Sequence, residues 1–354
     1  MKGSRVRVLV AEDSLTVRTR LCEILEADEG VEIVGTAEDG KTAIELCERL
    51  RPDVVTMDMI MPVMSGLAAT EYIMAHCPTP ILVVSASANR GELFKTYDAL
   101  AAGAVDVLDK PGTRDRGDQW EAQFVATVKL VSRIKVITHP RARLPRGAVA
   151  AGRPGASSFP AARTGTLAAG ALGASTGGPG ALVTVLKDLP APLPWPVFLV
   201  MHIGEPFGSA FAEWLDAQTP HRVRYAGDGA RVPPAEVIMA PPDRHLVVRG
   251  GRLWLTADSL RHSCRPSVDV LFESLATEYG AGVWAALLTG MGRDGASGLL
   301  KIREAGGLTI AQDEASSVVY GMPREAVLLG AAQRVLPLHE IGPALAAVAT
   351  GAAG

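Results

Sequence analysis

From residue 5 onwards, short unbroken apolar runs alternate with longer stretches in which apolar residues recur every three or four positions. The runs are "VRVLVAED", "VEIVGTA", "DVVTMDM", "PILVVSAS" and "AVDVLDK"; the stretches between them include "LTVRTRLCEILEAD", "KTAIELCERLR" and "LFKTYDALAAG". A run that is apolar at successive positions has no solvent face, which suits a parallel strand covered by helices on both sides. Five such strands alternating with five helices predict an α/β domain over residues 1–138. Sheets of this kind gather their functional groups beyond the carboxyl ends of the strands.

The alternation stops over residues 139–166, "HPRARLPRGAVAAGRPGASSFPAARTGT", which hold four prolines, four glycines, five arginines and no acid. Such a stretch cannot bury enough apolar surface to fold by itself, so a solvated linker is expected. From residue 167 the pattern resumes. "TLAAGALGAS", "PVFLVMHI", "EVIMAPP", "GVWAALLTG" and "LTIAQD" read as strands, and "GALVTVLKDL", "FGSAFAEWLDAQ", "SVDVLFESLATEYG" and "GASGLLKIREAG" as helices. "HLVVRGGRLWLTA" alternates on either side of a Gly-Gly turn and reads as a hairpin. Residues 167–354 are therefore expected to form a second, doubly wound α/β domain.

Composition narrows the picture. With 48% hydrophobic and 21% charged residues, both domains can bury ordinary cores. A net charge of −3 and a pI near 6.2 offer no footprint for nucleic acid. Cys22, Cys47, Cys77 and Cys264 have neither paired nor metal-ligand spacing and read as reduced thiols of a cytoplasmic protein. The uncharged run Thr164 to Leu186 is long enough to span a bilayer, but six glycines, a proline and the polar pair Ser175 and Thr176 make it strand, turn and helix instead. No membrane insertion is expected.

Candidate chemistry sits at strand ends. In the first domain Glu12 and Asp13 follow the first strand, Asp58 the third and Ser85 the fourth, while Lys110 precedes Pro111 after the fifth. Three carboxylates on one rim repel one another unless a cation neutralises them, and Mg2+ suits an all-oxygen site. This pattern, over about residues 5–125, resembles the receiver domain of two-component response regulators, a flavodoxin-like fold. The resemblance implies that Asp58 accepts a phosphoryl group from a sensor histidine kinase. It gives Glu12, Asp13 and Asp58 to Mg2+, with the Ile60 carbonyl as a further ligand, and sets Ser85 and Lys110 against the phosphoryl oxygens. Ser65, in "MPVMSG", stands where such domains usually carry Asp.

In the second domain "GASTG", residues 173–177, fits G-x-S-x-G between a strand and a helix. A nucleophilic Ser175 needs a base, and the base an orienting group. His202 ends "PVFLVMHI" at the equivalent position of the next strand, and Asp294 lies just past "GVWAALLTG". His221, His245, His262 and His339, with Asp228, Asp243 and Asp269, are the other candidates, but none pairs a strand end with a glycine-rich turn. The order Ser…His…Asp differs from that of ordinary α/β-hydrolases. A phosphate cradle is disfavoured because no Lys or Arg lies between Arg163 and Lys187.

"GASTGGPGAL", "MAPPDRHLVV", "RPSVDVLFESLA", "LTGMGRDGASGLL" and "QDEASSVVYGMPREA" together resemble the catalytic domain of the chemotaxis methylesterase family. The whole chain is similar to its receiver–linker–esterase response regulators. The resemblance implies hydrolysis of glutamate γ-methyl esters, and deamidation of certain glutamines, on methyl-accepting chemoreceptors. Ser175 would be the nucleophile, His202 the base and Asp294 the orienter, with Thr176 and Met291 forming the oxyanion hole. The esterase step would need no metal, phosphorylation of Asp58 would release it from restraint, and the protein would be a cytoplasmic monomer. The family usually shows Gln-His-Met where this chain reads "VMHIGEPF". Two rival expectations are a non-enzymatic response regulator whose output domain binds a partner, and a serine hydrolase of a small ester.

Overall fold

The computed structural model describes residues 5–86, 89–110, 117–134, 136 and 167–349. The chain divides into two compact units, Met1–Ala148 and Val149–Gly354. The expected linker, residues 139–166, lies outside the described residues.

The first unit carries the expected five strands and five helices. β1 (Val6–Ala11), β2 (Val31–Ala37), β3 (Val54–Met57), β4 (Ile81–Ser85) and β5 (Asp106–Asp109) form one parallel sheet in the order β2-β1-β3-β4-β5. The helices are α1 (Leu15–Glu26), α2 (Gly40–Leu50), α3 (Gly66–His76), α4 (Arg90–Ala101) and α5 (Gly117–Val131). Polar side chains start them: Ser14, Asp39, Ser65 and Asn89 each accept an N–H from the first turn. Ser65 thus caps α3, a task that either serine or aspartate performs. The strand order reverses between β1 and β3, so the crevice of this sheet opens where Glu12, Asp13 and Asp58 emerge.

The second unit holds a seven-stranded parallel sheet in the order β14-β13-β12-β6-β7-β9-β8. Its strands are β6 (Ala169–Ala174), β7 (Val197–Met201), β8 (Val223–Tyr225), β9 (Val237–Met239), β12 (Val283–Leu287), β13 (Leu308–Gln312) and β14 (Arg334–Leu336). β10 (His245–Arg249) and β11 (Arg252–Thr256) pair antiparallel as the predicted hairpin. The helices are α6 (Gly178–Asp188), α7 (Phe211–Gln218), α8 (Val268–Tyr279), α9 (Ala296–Glu304), α10 (Met322–Leu328) and α11 (Leu338–Ala349). Sequence patterning missed β8 and β14, which are three-residue edge strands too short to show a period, and missed α10 and α11. The run Thr164 to Leu186 resolves, from residue 167, into β6, a turn and α6. Among the described residues no helix is long and apolar enough to cross a membrane.

Each unit buries its own core. Leu9, Val55, Met57 and Val83 pack beneath the helices of the first unit. In the second, Phe198, Leu271, Phe272, Ala285, Leu287 and Ile302 do so. β6 is central, and the chain leaves it towards β7 on one side while β12 flanks it on the other. The switch point of this sheet therefore lies at the carboxyl ends of β6, β7 and β12.

Candidate functional site

At the rim of the first sheet, Glu12 is 1% and Asp58 5% exposed, so two carboxylates sit out of water. Lys110 Nζ lies 2.8 Å from Glu12 Oε2 and 3.1 Å from Asp58 Oδ2, supplying the positive charge they need. Burial pushes both carboxyl pKa values up, and Lys110 offsets only part of that. Burial also pulls the ammonium pKa down, but the two carboxylates more than reverse it, so Lys110 stays charged. Asp58 Oδ1 accepts the Met59 N–H at 2.8 Å, and the half-exposed Ile60 turns its own N–H to the same carboxylate. Ser85, buried, ends β4, and its carbonyl accepts the Lys110 N–H at 3.1 Å.

One carboxylate oxygen from each of Glu12, Asp13 and Asp58 lies within 4.8 Å of the others. Glu12 Oε2 meets Lys110 closely but at an angle that leaves the buried oxygen without a directed hydrogen bond. An all-oxygen set with an under-satisfied buried donor is one that a hard cation fits.

The second rim is built from three strand ends. β6 and β7 run in a register that pairs Ala174 with Met201, and His202 N–H donates to Ala174 O at 3.0 Å. Ser175 and His202 therefore emerge side by side. The Ser175 N–H donates to Thr289 O at 3.0 Å, tying the turn to the end of β12. Gly177, at φ +77°, then swings the chain into α6, with Pro179 in its first turn. Gly290 faces the serine so closely that a Cβ there would lie 2.7 Å from Ser175 Cβ.

Asp294, 2% exposed, receives four hydrogen bonds. Its Oδ2 lies 2.8 Å from His202 Nε2 and accepts the Val268 N–H at 2.7 Å. Its Oδ1 accepts Ser267 Oγ–H at 2.7 Å and the Asp269 N–H at 3.2 Å. Burial alone would raise the Asp294 pKa, but His202, Ser267 and Val268 together hold it below the usual carboxylate range. Burial likewise pulls His202 down, yet the Asp294 bond and the neighbouring Cys264 sulfur win and raise it to about 9. Because Asp294 holds Nε2, the nitrogen left to act on a substrate is Nδ1.

The sequence-predicted trio is brought to one rim, but unequally. His202 and Asp294 are bonded; among the described residues no hydrogen bond joins Ser175 Oγ to His202. The N–H groups of Thr176 and Met291 enter no hydrogen bond among the described residues, and Met291 is 40% exposed. Three of the four alternative histidines have structural partners: His221 meets Leu186 O at 2.8 Å, His245 meets Ser259 O at 3.2 Å, and His262 meets Asp269 at 3.1 Å, while His339 is exposed. Sequence reasoning missed Ser267 and Cys264. A serine just before an amphipathic helix signals a cap, but its second bond to Asp294 joins residues 27 apart and has no local signature.

Residues 170–345 match the family model described as CheB methylesterase, and residues 8–119 match the response regulator receiver domain. A curated relative in Geobacter metallireducens, protein-glutamate methylesterase/protein-glutamine glutaminase 4, is 44% identical over 97% of this chain and 99% of its own length. The chain belongs to the CheB methylesterase family. Another member of the family, the similarly named protein 2 of Pseudomonas aeruginosa, is 44% identical over 96% of each chain. Among solved structures, the Thermotoga maritima CheB methylesterase catalytic domain aligns at 34% identity and a TM-score of 0.49, covering 51% of this chain and 98% of that one.

Proposed function

We propose that this chain is a phosphorylation-controlled protein-glutamate methylesterase and protein-glutamine glutaminase acting as a serine hydrolase on chemoreceptors. The observation that carries the reading is the His202–Asp294 pair at 2.8 Å, on the strand whose register sets Ser175 beside it. Ser175 Oγ attacks the ester carbonyl carbon while His202 Nδ1 takes the hydroxyl proton, and Asp294 steadies the imidazolium that results. The unused N–H groups of Thr176 and Met291, with the positive end of α6, face the developing oxyanion. His202 then returns its proton to the departing methanol and takes another from the water that clears the acyl-enzyme. A glutamine side chain follows the same course with ammonia leaving.

In the receiver, Asp58 takes the phosphoryl group from a histidine kinase. Glu12, Asp13 and Asp58, with the Ile60 carbonyl, would hold Mg2+, which supplies neutralising charge for phosphoryl transfer when bound. Lys110 and Ser85 grip the new phosphoryl oxygens. The parts are a receiver over 1–138, a linker over 139–166 and an esterase over 167–354, working in the cytoplasm as a monomer.

The test is methanol release from membranes bearing methylated receptor. Wild type should release methanol and Ser175→Ala should lose it by on the order of 10^6-fold while keeping its fold and its phosphorylation. Near-wild-type turnover by Ser175→Ala would sink the assignment. Hydrolysis of a small chromogenic ester without any action on receptor would point to the small-ester hydrolase instead.

A further inference from the structure

We propose that His202 Nδ1 and Cys264 Sγ together form a binding site for Zn2+, and that occupation of this site shuts off the esterase. The inhibitory consequence rests on the reading of His202 as the general base; the binding itself does not.

Cys264 Sγ lies 3.8 Å from His202 Nδ1. At a tetrahedral zinc with Zn–S near 2.3 Å and Zn–N near 2.0 Å, sulfur and nitrogen stand about 3.5 Å apart, so a small turn of the thiol completes the pair. Borderline-soft Zn2+ prefers this sulfur and nitrogen set, whereas Mg2+ does not. The histidine is already braced for the role. Asp294 occupies Nε2 from behind at 2.8 Å, the carboxylate–histidine arrangement that orients imidazole ligands towards zinc.

The backbone that carries the thiol is also fixed. Arg261 and Cys264 exchange both backbone hydrogen bonds, at 3.1 and 2.8 Å, around a two-residue turn. His262 and Ser263 hold that turn at φ +50° and +63°. Cys264 Sγ donates to His262 O at 3.4 Å and remains partly open to solvent, as does His202. Water completes the coordination. Binding displaces the Cys264 thiol proton to solvent, together with the His202 proton when one is present. The zinc then occupies the lone pair that would receive the Ser175 proton.

The experiment uses the full chain. Co2+, as a spectroscopic stand-in, should give a thiolate-to-metal charge-transfer absorption that Zn2+ quenches. Ser175→Ala should retain this band, which makes the binding readout independent of catalysis. Cys264→Ser and Cys264→Ala should lose it, and Cys22→Ser should keep it. In methanol release, Zn2+ should inhibit wild type reversibly on adding a zinc-selective chelator, and Mg2+ should not inhibit. Each Cys264 variant, referred to its own zinc-free rate, should require at least about tenfold more Zn2+ for the same inhibition. Absence of the band in wild type, its survival in Cys264→Ser, or equal Zn2+ sensitivity in the Cys264 variants would overturn the proposal.

Discussion

At the scale of single residues, the imidazole of His202 is pulled two ways. Its pKa of about 9 means that at neutral pH it rests as an imidazolium against Asp294. A general base must be neutral, so kcat/KM is expected to climb with pH along a limb centred near about 9. Stability should move in the opposite sense. The folded-state value lies above the unfolded value of about 6.5, so the contribution of the imidazolium is complete below about 6.5 and is lost as pH rises through the folded-state pKa. Asp294→Asn removes one of the two groups that raise the value, leaving Cys264, and both transitions should shift down towards about 6.5. Its loss in kcat should be about two orders of magnitude milder than that of Ser175→Ala or His202→Ala. Activity profiles and thermal melts of wild type and Asp294→Asn across pH 6 to 10 check both signs; an unshifted limb in Asp294→Asn would show that Asp294 does not set it.

At the scale of elements, the site depends on how α8 begins. Ser267 is fully buried, accepts the Val270 N–H at 3.4 Å as the cap of α8, and donates to Asp294 at 2.7 Å. Ser267→Ala should therefore cost about 1–2 kcal/mol of stability, from the lost cap and the lost bond to a charged acceptor. It should also lower kcat, because Asp294 is freer to turn away from His202. Denaturant melts and turnover on the same preparation test this, and a loss of stability with unchanged kcat would separate the cap from the catalysis. The strands that carry Ser175, His202 and Asp58 were legible from their apolar runs, since a parallel strand buried on both faces cannot be written any other way. The glycine turn at 173–177 was legible for a similar reason. What escaped were the edge strands β8 and β14, the helices α10 and α11, and the α8 cap's reach to Asp294. Short edges carry no period, and a contact between residues far apart in sequence is set by packing.

At the scale of the whole molecule, the two units have separate cores and sites that share no residue. We expect trypsin to cut at the arginines of 139–166, the last of which is Arg163, and to release a 164–354 fragment that folds and remains an esterase. A small-molecule phosphodonor with Mg2+ should raise methanol release by the full chain and leave the fragment unchanged. Asp58→Asn should keep basal activity and lose the response; an equal response from the fragment would place control outside the receiver. That two-part division, and the acids on the first rim, could be read from composition and strand ends. The Lys110 bridge between Glu12 and Asp58 could not, because it joins the ends of three different strands. Asp294, finally, serves the α8 backbone as much as it serves His202. Selection for a folded domain alone would retain it. A descendant of this chain that had surrendered the proposed catalysis would be freer to drift at Ser175 and His202, whose side chains bond to no backbone group among the described residues. Among relatives, an aspartate in this position would testify to an intact fold, and the serine and the histidine to the proposed chemistry.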